Sequence, residues 1–124
     1  RVLFRSIWIS ADKDMLNQVF HNLLLNAQQA TEQQNEPQIV VALSLHENNQ
    51  EVLIRITDNG VGIPAAQQER IFTPYFTTKS SGSGIGLSVV RQIIEKHNGT
   101  IRFESEPNKG TSFFIRLKLL SEGL

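Results

Sequence analysis

Two pairs of alternating segments set the limits on what this chain can fold into. Ile39, Val41, Leu43 and Leu45 fall on every second position, as do Val52, Ile54 and Ile56 beyond the break at 46–50. The same period returns over Thr100 to Glu106 and Thr111 to Leu119, joined by Pro107-Asn108-Lys109-Gly110. A period of two gives each strand one apolar face, and short connections rich in Asn and Gly pair neighbouring strands into hairpins. That face has to be buried, and 124 residues supply one core, not two.

The cover comes from helical stretches between the hairpins. Ser10-Ala11-Asp12 offers an N-cap, and Asp12 and Asp14 suit the positive end of a helix running from Asp12 to about Gln33. Leu16, Phe20, Leu23, Leu24, Ala27 and Ala30 gather into one apolar arc, extended by Met15 and Val19, and Gln34 to Pro37 ends it. A second helix is predicted over Leu87 to His97, with Leu87, Val90, Ile93, Ile94 and His97 on one stripe and Gly99 as its C-cap. A short amphipathic helix is expected over Ala65 to Phe72, a loop from Thr73 to Ser83 and a strand over Val2 to Ile9. The fold class is therefore α+β: a two-layer α/β sandwich, its sheet mixed but mostly antiparallel, with about five strands covered on one face by about three helices.

Composition narrows the function. A formal net charge of zero gives no general attraction to nucleic acid or an anionic membrane, and no apolar run approaches the ~20 residues that span a bilayer. With no cysteine there is neither disulfide nor thiolate metal site, in keeping with a reducing, cytoplasmic setting. The chain opens at Arg1 without a signal-peptide pattern, so residues 1–124 are read as a single domain of a longer protein.

Three stretches could carry chemistry. Gly82-Ser83-Gly84-Ile85-Gly86-Leu87 leaves backbone N–H groups bare at the positive end of a helix, which suits phosphate, although a plain flexible turn reads the same way. Asn22 and Asn26 stack four apart at one margin of the first helix's apolar arc. They could offer carbonyl oxygens to a hard cation or simply bond a neighbouring loop. Asp58-Asn59-Gly60-Val61-Gly62 ends a strand; its carboxylate could accept from an amino group while the glycines admit a flat ring, or it could close an Asx turn.

Taken in order, these stretches resemble the nucleotide-binding domain of two-component sensor histidine kinases, in the superfamily that also holds gyrase-type and mismatch-repair ATPases. Phe20 to Ala27 is similar to that family's N box, Asp58 to Ile63 to its G1 box, and Ile71-Phe72-Thr73-Pro74-Tyr75-Phe76 to its F box. Gly82 to Leu87 resembles the G2 box and Gly110-Thr111 the final glycine-threonine element. Thr77-Thr78-Lys79 with a short lid resembles the nitrogen-regulator type.

The resemblance implies ATP and Mg²⁺ as ligands. Asn26 would hold the metal with Asn22 in support, and Asp58 would accept from the adenine amino group, with Gly60, Gly62 and Thr111 beside the ring. Gly82, Gly84, Gly86 and Leu87 would line the phosphates, with Lys79, or less directly Arg70, reaching them. It also implies transfer of the γ-phosphoryl group to a histidine of a separate dimerisation/phosphoacceptor domain, then to a response regulator, in a parent that could be membrane-anchored. Gyrase-type members carry a glutamate base where this chain has Asn22, and an amide cannot take a proton from water near neutral pH. None of His21, His46 and His97 has the setting of a phosphoacceptor. A serine kinase of the anti-sigma-factor type and a non-catalytic nucleotide-binding scaffold remain alternatives.

Overall fold

The structure is a computed structural model that describes residues 8–46, 48, 50–74 and 86–120. In chain order it has α1 (Lys13–Ala30), β1 (Ile39–His46), β2 (Glu51–Asp58), a 3-10 turn (Ala65–Arg70), α2 (Gly86–Lys96), β3 (Thr100–Glu106) and β4 (Gly110–Lys118). The strands form one antiparallel sheet in the order β1-β2-β4-β3. Among the described residues the sheet thus has four strands rather than about five, and no parallel pair. The strand expected over residues 2–9 lies mostly outside the described residues; Trp8 and Ile9 are in no strand, but the Trp8 carbonyl accepts from the Leu120 amide at 2.8 Å.

The register lines up the inward residues into rows across the sheet. Leu43, Ile54, Ile115 and Ile101 form one row, and Val41, Ile56, Phe113 and Phe103 the next. Ile54, Ile56, Phe113 and Ile115 are buried, joined by Leu16, Val19 and Leu23 of α1 and Val90, Ile93 and Ile94 of α2. Each such side chain removed from water contributes roughly 1.5–3 kcal/mol. The cover is uneven, because α1 lies against β2 and α2 against β3. Leu43 stays 61% exposed although its cross-strand partner Ile54 is buried.

The buried face of α1 centres on Leu16, Val19, Leu23 and Ala27, with Leu24 at 39% exposure. It is turned toward Val19 relative to the expected arc, and this brings Asn22 and Asn26 to half-buried positions. Asp12 caps α1 by accepting from the Met15 N–H at 3.0 Å. The helix stops at Ala30, short of Gln33: the Thr31 hydroxyl reaches the carbonyls of Ala27 (2.9 Å) and Gln28 (3.1 Å), and the chain goes on in tighter turns, with the Glu32 N–H on the Gln29 carbonyl (3.4 Å) and the Gln34 N–H on the Thr31 carbonyl (3.0 Å). At the end of α2 the left-handed residue is Asn98 (φ 59°), not Gly99, whose N–H closes on the Ile94 carbonyl at 2.9 Å.

The two helices run antiparallel and are joined near each end of α2. The Asp12 N–H donates to Nε2 of His97 at 3.0 Å while Nδ1 of His97 sits 2.8 Å from the Ile93 carbonyl. At the other end Nδ2 of Asn22 reaches the Gly86 carbonyl at 3.5 Å.

Candidate functional site

Beyond the row holding Ile56 and Phe113, the inward face changes character within one register step. The last row reads Ile39, Asp58, Thr111 and Ser105. The alternation that buries Val52, Ile54 and Ile56 also turns Asp58 inward, so a carboxyl group stands where a fourth aliphatic side chain would complete the stripe. Asp58 and Thr111 are both buried, at 7% and 6% exposure.

The loop following Asp58 is held on two sides. The Gly60 N–H donates to Oδ1 of Asp58 at 2.8 Å, and the Val61 N–H to the Ala30 carbonyl at 3.0 Å. Asn59 bonds Gln38 and Glu36 through both its side chain and its backbone N–H. On the other side the Asn108 N–H donates to the Val61 carbonyl at 2.7 Å, and the Ile63 N–H to Oγ of Ser105 at 2.8 Å. Gln68 links the carbonyls of Ile63 (3.0 Å) and Ser105 (3.2 Å). Two glycines make this fit possible: a Cβ on Gly60 would meet the Ala30 carbonyl, and Gly62 has φ +72° with the Glu106 carbonyl against it. The loop is therefore fixed in shape by the protein itself.

One face of α1 bounds the site along its length. Asn22, Asn26 and Ala30 are spaced by four and share that face, over ~12 Å of helix rise. Asn22 meets Gly86, where α2 begins, and Ala30 meets Gly60 and Val61; Asn26 lies midway. The start of α2 adds the positive end of its dipole next to Asn22. A half-buried amide oxygen there suits a hard cation that takes its remaining ligands from phosphate and water. Among the described residues no three His, Cys, Asp or Glu side chains converge as a metal cluster.

At the entrance to the expected lid, Phe72 packs edge-on against Phe103 (5.9 Å) and Phe113 (6.5 Å), and the Arg91 guanidinium lies 5.6 Å from its ring centre. Leu87 is half-buried against the core. Arg70 is exposed at the end of the 3-10 turn. Of the expected site residues, Asn22, Asn26, Asp58, Gly60, Gly62, Gly86, Leu87 and Thr111 lie around this one end of the sandwich. Lys79, Gly82 and Gly84 fall outside the described residues, as does most of the expected lid.

Three contributors escaped the sequence reading. Ser105 follows Ile101 and Phe103 on the inward side of β3, and this break in an apolar series was the available signal. Gln68 had no pattern to mark it. Ala30 acts through its carbonyl, which no side-chain reading finds.

Comparison with known proteins places the chain in a family of this fold. Residues 11–121 match the family model described as histidine kinase-, DNA gyrase B-, and HSP90-like ATPase. The sensor histidine kinase ZraS of Escherichia coli (strain K12) is 48% identical over 109 residues, which cover 88% of this chain and 23% of that protein. Sporulation kinase A of Bacillus subtilis (strain 168) is 40% identical over 110 residues, covering 89% of this chain and 18% of that protein. The chain thus spans about a quarter or less of the length of these two curated relatives. Among solved structures, the catalytic domain of histidine kinase ThkA superposes with a TM-score of 0.75 at 35% identity, covering 89% of this chain and 70% of that one.

Proposed function

The chain belongs to the histidine kinase-, DNA gyrase B-, and HSP90-like ATPase family, as a catalytic domain of the sensor histidine kinase kind, and from that premise we propose how it works. It binds Mg-ATP between α1 and the start of α2, and the γ-phosphoryl group passes to a histidine on a separate dimerisation/phosphoacceptor domain of the parent. From there the group reaches a response regulator, and the whole serves signal transduction.

The observation that supports this reading most is the polar row Asp58–Thr111–Ser105 at the end of an otherwise apolar sheet face. It lies beside a loop rigid enough to receive a flat base. Asp58 accepts from the base's amino group, and Gly60 and Gly62 keep side chains away from the ring. Asn26 offers its amide oxygen to the metal, with Asn22 holding the start of α2 in place beside it. A bound Mg²⁺ ion would offset phosphate charge. By the family resemblance, Gly82, Gly84 and Gly86 would leave room for the phosphates and Lys79 would reach them.

Asn22 replaces the base that a hydrolytic member would use on water, so the site favours positioning over hydrolysis. In the transfer, the bond from the γ-phosphorus to the bridging oxygen of ADP breaks as a bond to an imidazole nitrogen forms. No helix among the described residues is long and apolar enough to cross a membrane. Because its proposed substrate is ATP and its proposed acceptor relays to a response regulator, we assign this domain to the cytoplasmic side of its parent.

The test mixes the chain with γ-labelled ATP, Mg²⁺ and the parent's acceptor domain. Label on the partner that is lost in acid and kept in base identifies phosphohistidine. Acid-stable label would move the function to a serine kinase, and absence of transfer despite ATP binding would leave a nucleotide-binding scaffold.

A further inference from the structure

The Ser105 hydroxyl has three polar partners within hydrogen-bond distance. It receives the Ile63 N–H at 2.8 Å, lies 3.1 Å from the Gly110 carbonyl and lies 2.8 Å from Oγ1 of Thr111. A hydroxyl has one proton to give and two lone pairs to accept with. The Gly110 carbonyl can only accept, so the Ser105 proton goes there. The remaining lone pair faces Thr111, and the 2.8 Å contact is then a bond that Thr111 donates. All three contacts are satisfied together only in this arrangement. It uses the Thr111 proton and leaves Thr111 with lone pairs alone to offer its surroundings. Its register neighbour Asp58 carries a carboxyl group that, ionised, also only accepts.

We propose that Ser105 is a positioning residue that holds Thr111 as a hydrogen-bond acceptor, so that the Asp58–Thr111 pair selects purines with an amino group at position 6 over those with a carbonyl. This rests on the adenine reading given above. A 6-amino group brings protons to two acceptors, whereas a 6-oxo group brings lone pairs to them. Admitting the 6-oxo base requires Thr111 to turn its proton outward. Ser105 must then donate to Thr111, and the bond to the Gly110 carbonyl is given up. Without Ser105, Thr111 rotates freely and that cost vanishes.

The test measures dissociation constants for ATP and inosine triphosphate, which differ in the 6-position group and the protonation of N1. It uses the full chain, Ser105→Ala, Ser105→Thr, Thr111→Val and the Ser105→Ala/Thr111→Val double variant, with unfolding midpoints recorded for each. The unaltered chain binds ATP more tightly than inosine triphosphate. Ser105→Ala lowers that preference by about fivefold, the size of one neutral hydrogen bond. Ser105→Thr, which keeps the hydroxyl, retains the preference. Because Ser105 acts through Thr111, the double variant is no less selective than Thr111→Val alone. Equal weakening of both nucleotides by Ser105→Ala, or losses of selectivity that multiply in the double variant, would overturn the proposal. If the unaltered chain binds both nucleotides equally and Asp58→Asn leaves ATP binding intact, the adenine reading itself fails, and the role of Ser105 with it.

Discussion

Asp58 stands at the point where the chain gives up core packing for recognition. Its inward neighbours on β2 are aliphatic and buried, and it is buried with them, held in part by the Gly60 N–H. Asp58→Asn keeps an oxygen for that N–H, so the loop retains its shape, while one acceptor becomes a donor. We expect ATP affinity to fall by roughly tenfold or more, the worth of a hydrogen bond to a charged group, with the unfolding midpoint little changed. Titration calorimetry decides it, and near-normal affinity would remove the adenine assignment. At this scale Asp58, Gly60 and Gly62 stand out in the sequence as a turn-rich break after a strand, whereas Thr111 is singled out only by its likeness to the family's glycine-threonine element. Ser105 interrupts an apolar series too, but what it touches depends on the pairing of Glu106 with Gly110, and a strand sequence does not reveal its own register.

The elements show the same division between local pattern and tertiary context. Every strand after α1 lies close to its expected place, since period-two alternation and turn residues are local signals. What alternation cannot tell is which faces the helices reach. β1 and β2 alternate equally well, but the helix layer covers β2 and leaves the inward side of β1 largely bare. Leu43 and Ile54, partners across that boundary, make the contrast measurable. Leu43→Ala should change unfolding free energy by less than about 1 kcal/mol. Ile54→Ala should cost about 2–5 kcal/mol, from lost transfer energy plus a cavity. Denaturant unfolding of the two variants checks this, and comparable losses would mean that β1 is covered. The end of α1 was misjudged for a related reason: Gln28 to Gln33 suit a helix by propensity, but the Thr31 hydroxyl competes for the carbonyls the helix would use.

In the whole molecule the helix layer is held by polar joints as well as by its apolar face. His97 spans from the Ile93 carbonyl to the Asp12 N–H, tying the end of α2 to the start of α1. His97→Ala should lower stability by about 1 kcal/mol in denaturant unfolding while leaving ATP affinity within twofold, because the joint lies at the end of α2 away from Gly86. An unchanged midpoint would show that apolar packing alone sets the helix pair. The joints have a consequence for how the site can vary. α1 has 18 residues and α2 has 11. Roughly two turns of α1, about 10 Å, therefore project past the point where α2 begins. That projection is a beam supported at both ends, by the Asn22–Gly86 contact behind it and by the Ala30 carbonyl on the Val61 N–H ahead, with Asn26 between the supports. The free span along which Asn26 sits is therefore a difference between two helix lengths. Core side chains can be exchanged for others of similar volume and leave that span alone. One residue added to α1 between Asp12 and Asn22 would turn the beam by ~100° and carry both amides off this face.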